Sequence, residues 1–295
     1  MKTESSLVLL AITLAGCSAR SAGTSTMVID ASPDGSTVLF ARDDTHAVYA
    51  QRDEAEPIVV ADGDGATLLP DGSVVVSVRE ANGFHLRRVK DGVAESLFVT
   101  SGTQDTQPCA VGSGIAFVRS LRSRGYSMGG TVQTDYVLMY AAPGEKPRAL
   151  SATPFSAMVL DPHASDEKHI YFTGARTASE SEGVFRVPLS GGAEPKKLIE
   201  LSTLESVTVC PEHGLIAFTD RTPIESGAVT YSVKTARTDG TDVKTASNEP
   251  AEQAIFVDQG RSLLLLRQPD LDGRYVLDRL DLASGKITTR TKLEP

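Results

Sequence analysis

The chain has 295 residues, and its 38 acidic against 29 basic side chains give a formal net charge of −9 at pH 7. This balance disfavours a nucleic-acid-binding or anionic-membrane-binding surface, because both need clustered positive charge. The length is enough for one large all-β domain or for two small ones.

The first predicted element is a signal peptide over residues 1–16. It contains an apolar run at 7–15, which is too short to cross a bilayer as a helix but suits the core of a signal peptide. The tetrapeptide Leu-Ala-Gly-Cys at 14–17 resembles a bacterial lipobox. That resemblance implies cleavage before Cys17 and lipidation of its thiol. A plain secretory signal that happens to contain a cysteine is the alternative.

The residue after the cysteine is Ser18. By analogy with bacterial lipoproteins, it implies the outer membrane rather than retention at the inner one. We therefore predict an outer-membrane lipoprotein that faces the periplasm and touches the membrane only through its lipid. A short tether, 17–27, would join the lipid to the folded body.

Residues 28–295 contain six copies of one unit, each centred on a short apolar run after a turn. The equivalent central positions are Phe40, Ser77, Phe117, Phe172, Phe218 and Leu265, with successive spacings of 37, 40, 55, 46 and 47 residues. Periods of this size carried by strands alone are typical of β-propellers with four strands per blade. We predict an all-β, six-bladed β-propeller of four-stranded antiparallel blades, and an irregular β-sandwich is the alternative. The predicted blades are approximately 28–65, 66–102, 103–153, 154–203, 204–249 and 250–295.

Turn chemistry agrees with this repeat. The tetrapeptide Pro-Asp-Gly-Ser occurs at 33–36 and again at 70–73, where it is expected to join the first two strands of a blade. Five of the six units also have a glycine-bearing hairpin centre in their second half, and the first unit has Asp53-Glu54-Ala55 there. Such centres supply the positive φ that tight hairpins need.

The stretches "ASPDGSTVLFAR", "GLIAFTDR" and "VPLSGGAEPKKL" resemble the repeats of TolB-like β-propellers of bacterial envelopes. The resemblance covers roughly residues 28–295 and implies the propeller fold. It implies no particular activity, because this propeller carries many functions.

One motif suggests catalysis. Residues 125–129, Gly-Tyr-Ser-Met-Gly, fit the nucleophile elbow of α/β-hydrolases, with Ser127 as the nucleophile. The repeat instead predicts a connection between the second and third strands of blade three, without the strand-to-helix turn that the elbow needs. A Ser127 hydrolase is kept only as an alternative.

The same connection is the predicted partner-binding loop. A solvated loop without a partner is the alternative. The side chains expected to contact an acidic group of a partner are Arg119, Arg122, Arg124 and Tyr126. The equivalent connections are also long in blades four to six, so the insertions gather on one face. We predict a non-enzymatic, monomeric scaffold that binds other envelope proteins or peptides.

An arginine follows the central position by two residues in four blades: Arg42, Arg79, Arg119 and Arg267. We expect ion pairs between blades or with the acidic residues that follow, such as Asp43 and Glu80. A ring of arginines near one mouth of the channel is the alternative.

No metal site and no cofactor are predicted. Two acidic pairs are assigned to turn chemistry because they lack the other ligands of a calcium loop: Asp62 with Asp64, and Asp270 with Asp272. The predicted innermost strands also carry three carboxylates that could hold a cation at the axis: Asp30, Asp161 and Asp258. A cation-dependent lactonase or esterase at the axis is therefore the alternative function.

Cys109 and Cys210 occupy corresponding places in blades three and five. Equivalent positions two blades apart should lie farther apart than the roughly 7 Å between Cα atoms that a disulfide allows. We predict two free thiols.

Overall fold

The computed structural model describes residues 27–42, 45–53, 55–81, 83–98, 103–122, 134–223, 229–267 and 275–293. Its strands form six separate four-stranded antiparallel sheets, each built from four consecutive strands. Sheets of consecutive strands in this number make a six-bladed β-propeller, and the predicted fold is confirmed.

The strands are numbered along the chain, and the first strand of each blade lies at the centre of the propeller. Blade one contains β1 Met27–Ala31, β2 Thr37–Arg42, β3 Ala47–Arg52 and β4 Ile58–Asp62. Blade two contains β5 Gly65–Leu68, β6 Val74–Glu80, β7 Gly83–Lys90 and β8 Val93–Ser96. Blade three contains β9 Thr103–Val111, β10 Gly114–Arg122, β11 Thr134–Ala141 and β12 Arg148–Ala149.

The second half of the ring repeats the same order. Blade four contains β13 Ala157–Val159, β14 His169–Ala175, β15 Glu182–Pro188 and β16 Lys196–Leu201. Blade five contains β17 Val207–Cys210, β18 Leu215–Pro223, β19 Val229–Arg237 and β20 Lys244–Ser247, with a 3-10 turn at Pro211–His213. Blade six contains β21 Gln253–Val257, β22 Ser262–Arg267, β23 Tyr275–Asp281 and β24 Ile287–Leu293.

The core lies between neighbouring blades. One buried cluster joins blades one and six through Ile29, Phe40 and Leu264, and another joins blades one and two through Leu39 and Val76. Because each blade packs on both faces, β22 contains a continuous apolar run, Leu263 to Leu266, in which every residue is buried. The six central positions of the repeat are buried, at 0–2% exposure.

The two Pro-Asp-Gly-Ser turns have the predicted role, joining β1 to β2 and β5 to β6. In the first, Gly35 has φ +68°, and the Asp34 carboxylate accepts hydrogen bonds from the Ser32 and Ser36 hydroxyls at 2.6 and 2.9 Å. These bonds lower the pKa of Asp34 to about 2. The carboxylate thus stays charged and holds the turn closed at neutral pH.

The connections divide between two faces of the ring. One face carries the links between the first and second strands and between the third and fourth strands of each blade, and we call it the turn side. The loop side is the opposite face, with the links between second and third strands and those between blades. The inner strands run from the loop side to the turn side.

Candidate functional site

The inner strands make no backbone ladder with one another, so their inward N–H groups need other partners. Each inner strand or its flank instead supplies one side-chain acceptor to a backbone N–H of the next blade. The six pairs, with donor–acceptor distances, are Asp30 to Leu68 (2.5 Å), Thr67 to Ala110 (3.2 Å), Gln107 to Leu160 (3.0 Å), Asp161 to Val207 (2.8 Å), Ser206 to Ala254 (3.2 Å) and Gln253 to Ile29 (2.8 Å). This side-chain ring runs once around the axis and closes the propeller.

The turn-side end of the axis is crossed by His163. Its Nε2 lies 2.5 Å from Oδ1 of Asp30 and donates to the carbonyl oxygen of Ala31 at 2.8 Å. His163 follows the inner strand of blade four, whereas Asp30 and Ala31 belong to blade one. Blades one and four face each other across a six-membered ring, so the imidazole spans the axis.

Burial disfavours the charged imidazole, but the charge of Asp30 and its hydrogen bond outweigh burial and raise the pKa of His163. The Asp30 side chain is only 1% exposed and also accepts from the Ala31 N–H at 2.6 Å. A buried carboxylate with a cationic partner and backbone donors is well compensated. The pair therefore fastens blade four to blade one.

This pair predicts how stability depends on pH. Because the pKa of His163 is higher in the folded state, the folded protein binds the proton more tightly than the unfolded chain. The stabilisation is complete below the unfolded pKa of about 6.5 and is lost as pH rises through the folded pKa. We expect the free energy of unfolding, from urea titrations, to fall as the pH rises above about 6.5. His163→Ala should flatten this slope and lower stability by about 1.5–3 kcal/mol at pH 6.5. Equal slopes in both proteins would contradict this assignment.

Above His163, the axis widens into a cavity of about 570 Å³, which we call the funnel. Inner-strand residues or flanking segments of blades two to six line it, mostly at the loop-side starts of those strands, so it opens on the loop side. Phe84 and Tyr136 add aromatic rings to the wall, and both are partly exposed. This volume is in the range of ligand-binding clefts.

The wall of the funnel is acidic. Four carboxylates line it: Asp64, Asp161, Glu205 and Glu252. Among the described residues that line it, none is a lysine, arginine or histidine. Converging charges of one sign in a low-dielectric cleft focus the field, so the funnel attracts cations.

A further carboxylate lies near the funnel. Burial, and secondly the charge of Glu205, raise the pKa of Glu182 at the start of β15. The Glu205 side chain accepts from the Thr203 hydroxyl at 2.9 Å. The mutual repulsion of Glu182 and Glu205 adds to the preference of this wall for a positive group.

Arg119, one of the predicted partner-binding residues, forms an ion pair with Asp105 inside blade three. Its Nε and Nη2 atoms donate to the two carboxylate oxygens of Asp105, both at 2.7 Å. Asp105 lies opposite it on β9 and is 0% exposed, while the Arg119 side chain is 11% exposed. Arg119 is therefore a structural residue. The side chain of Arg122, and Arg124 and Tyr126 altogether, lie outside the described part, so their role stays a prediction.

The other arginines of the repeat differ from one another. Arg267 pairs with Asp278 on β23 at 2.9 Å and with Glu249 at 3.4 Å, whereas Arg79 is exposed. Glu80 accepts from Arg87 at 2.7 Å. The expected ion pair between Arg79 and Glu80 is therefore wrong for blade two, because Glu80 pairs with Arg87 on the adjacent strand β7. The side chain of Arg42 lies outside the described residues.

The three inner-strand carboxylates are not brought together. Asp30 contacts His163, Asp161 accepts from Val207, and Asp258 pairs with Arg279 on the turn after β21. Within the described ranges, no three His, Cys, Asp or Glu side chains are placed to share a metal ion. The alternative of one cation held by all three aspartates therefore does not fit these positions, because Asp258 lies on the turn after β21 and pairs with Arg279 of its own blade.

The two cysteines are free and buried. Burial raises the pKa of Cys109 to about 12 and that of Cys210 to about 11. Neither thiol is a ready nucleophile, because the reactive form is the thiolate. Ser127, with its surrounding motif, lies outside the described residues, as does Cys17.

In the described part of the chain, no helix is long and apolar enough to span a bilayer. Residues 1–26 lie outside the described part, so the signal peptide, the lipidated cysteine and the tether stay predictions.

Sequence comparison finds no matching family model and no matching curated protein. Structural comparison finds the same fold in TolB from Acinetobacter baumannii, with a TM-score of 0.62 and 15% identity over 91% of this chain. The match covers 65% of the TolB chain. An oligogalacturonate lyase from Vibrio parahaemolyticus matches with a TM-score of 0.57 and 10% identity, over 90% of this chain and 84% of the lyase. Regucalcin from Agrobacterium tumefaciens, a calcium-binding protein, matches with a TM-score of 0.57 and 15% identity over 92% of each chain.

These identities establish a shared fold, and the predicted resemblance to TolB-like propellers is confirmed at that level. The neighbours have different activities, so the similarity does not select one.

Proposed function

We propose that this chain is a non-enzymatic, lipid-anchored protein of the bacterial cell envelope that binds a protein or peptide partner through its loop side. The observation that carries the proposal is the acidic funnel, which is open on that face and lined by Asp64, Asp161, Glu205 and Glu252. The envelope setting rests on the lipobox resemblance at Cys17 and on the TolB-like repeats.

The chemistry of the funnel selects the kind of segment that it accepts. A lysine or arginine side chain would bring a positive charge to this acidic wall, and Phe84 and Tyr136 offer rings to its aliphatic stem or cation. We therefore propose a partner segment with at least one basic residue. The connection 123–133, with Arg124 and Tyr126, would contact the partner beside the mouth.

Site-specific crosslinking tests the proposal. A photo-crosslinking residue at Gln104, which lines the funnel, should capture a partner in envelope fractions. The same residue at Glu145, on an exposed turn-side hairpin, should capture none. The double variant Glu205→Gln/Glu252→Gln keeps the side-chain shapes but removes two charges, so capture from Gln104 should fall at least tenfold. Equal capture from both positions, or capture that ignores the charge change, would contradict the proposal.

The predicted loop is tested by deletion, with its ends set by the register. Arg122 and Thr134 are paired on β10 and β11, so removing 123–133 shortens the hairpin without removing Arg119. Lower recovery of the crosslinked partner supports a contact there, and unchanged recovery argues against it.

An enzymatic function would appear in an activity assay. Turnover of esters or lactones, with and without calcium, should be absent from the intact protein and from Ser127→Ala and Asp161→Ala. A measurable turnover that either substitution abolishes would overturn the non-enzymatic proposal in favour of a hydrolase at the axis.

A further inference from the structure

The connection between the first and second strands of blade four differs from the others. It covers residues 160–168, nine residues, whereas the corresponding connections in the other five blades have two to five. Ordinary turn chemistry needs no more than a few residues here. Its first residues continue the inner strand along the axis, because Leu160 and Asp161 take part in the side-chain ring and line the funnel together with Pro162.

This connection is bonded to three other blades. His163 reaches Asp30 and Ala31 of blade one, and its carbonyl oxygen accepts from the Val209 N–H of blade five at 2.8 Å. The Ser165 hydroxyl donates to the carbonyl oxygen of Ala110 in blade three at 2.9 Å. A segment tied to the two neighbouring blades and to the opposite blade lies across the axis.

We propose that residues 160–168 form a plug that closes the turn-side end of the axial channel, with His163 as its latch on blade one. The plug makes the funnel a blind pocket, which a ligand enters and leaves only by the loop-side mouth. Removing the latch opens the channel from the turn side as well. This inference concerns the shape of the channel and holds whatever the funnel binds.

The surroundings of the latch favour the closed arrangement. Asp30 on β1 faces the imidazole directly, and the charges of Asp30 and Asp161 both act on the buried thiol of Cys109 on β9. The Asp30 carboxylate is buried, so it loses its only side-chain partner in the described structure when His163 moves away. Leaving such a charge without its partner is unfavourable, which keeps the plug closed.

Cys109 reports on the plug. Its thiol is fully buried and lies against the backbone of Ala164. Cys210 is also buried, but it lies on β17 beside the Glu212 carboxylate. Alkylation of the full-length protein, with peptide mapping by mass spectrometry, gives the rates of the two thiols in one sample. The ratio of the Cys109 rate to the Cys210 rate therefore measures opening at the plug separately from global unfolding.

His163→Ala removes the latch and is expected to raise this ratio at least tenfold at pH 7. His163→Gln keeps an amide that can donate to Asp30, so its ratio should stay within about threefold of the unsubstituted protein. His46→Ala is the control. This histidine also pairs with a carboxylate, Asp64, but it lies between β2 and β3 on the loop side, outside the plug.

Three results would overturn the plug. An unchanged ratio in His163→Ala means that the connection stays closed without the latch. Equal acceleration of both thiols means that the imidazole braces the whole propeller. An equal rise of the ratio in His46→Ala means that the effect follows the loss of any histidine–aspartate pair and not the loss of the latch.

Discussion

Replacing Arg119 by methionine is expected to lower the free energy of unfolding by about 3–5 kcal/mol. The substitution removes the cation that faces Asp105, a carboxylate with 0% exposure, and leaves that charge buried without its bidentate partner. The Arg119 guanidinium also lies 5.5 Å from the centre of the Phe117 ring, so the loss includes packing. Urea unfolding at pH 7, followed by far-ultraviolet circular dichroism, measures the change.

The control comes from the repeat itself. Arg79 holds the equivalent position in blade two but is exposed, so Arg79→Met should change the free energy of unfolding by less than about 0.5 kcal/mol. The double variant Arg119→Met/Asp105→Leu should recover much of the lost stability, because no buried charge remains. If Arg119→Met leaves stability unchanged while partner capture falls, Arg119 belongs to the binding surface rather than to the blade.

Replacing Gln253 by leucine is expected to lower the free energy of unfolding by about 2–4 kcal/mol, because two buried backbone groups lose their partner. The amide of Gln253 accepts from the Ile29 N–H at 2.8 Å and donates to the Ile29 carbonyl at 2.9 Å, which joins blade six to blade one. Among the described residues, blade six contains four consecutive strands of its own, β21 to β24, and β1 pairs only with β2, so no strand of this part is exchanged across the seam. Leucine keeps the volume of the side chain and removes only the hydrogen bonds.

The measurement is a urea titration in which the midpoint shifts and the slope stays constant. Gln104→Leu is the matched control, since Gln104 also lines the funnel but makes no hydrogen bond across blades in the described structure. Gln253→Glu should fall between the two, because one carboxylate oxygen still accepts from Ile29 while the donor is lost. A loss below about 1 kcal/mol in Gln253→Leu would show that apolar packing between blades one and six holds the seam alone.

The six copies of the repeat could be predicted from the sequence, because the residues that define them act within one blade. The turn residues, the buried central positions and the hairpin glycines each act within one blade, so their spacing was enough to predict the strand order. A sequence signal for the side-chain ring was also present. A polar residue stands 10–12 positions before each central position, at Asp30, Thr67, Gln107, Asp161, Ser206 and Gln253. The spacing of these polar residues could not show that they bond to the next blade, because a polar residue in an inner strand can equally face water in the channel.

The tertiary structure decided which distant residues meet. His163 and Ala31 are 132 residues apart and touch only because blade four lies opposite blade one in a ring of six. Arg119 and Arg79 have the same place in the repeat, yet only Arg119 has an acidic residue paired with it on the inner strand. Both outcomes depend on ring closure, a long-range arrangement whose contacts join blades far apart in the chain. The sequence by itself therefore determined the propeller, and the closed ring placed the acidic funnel above His163.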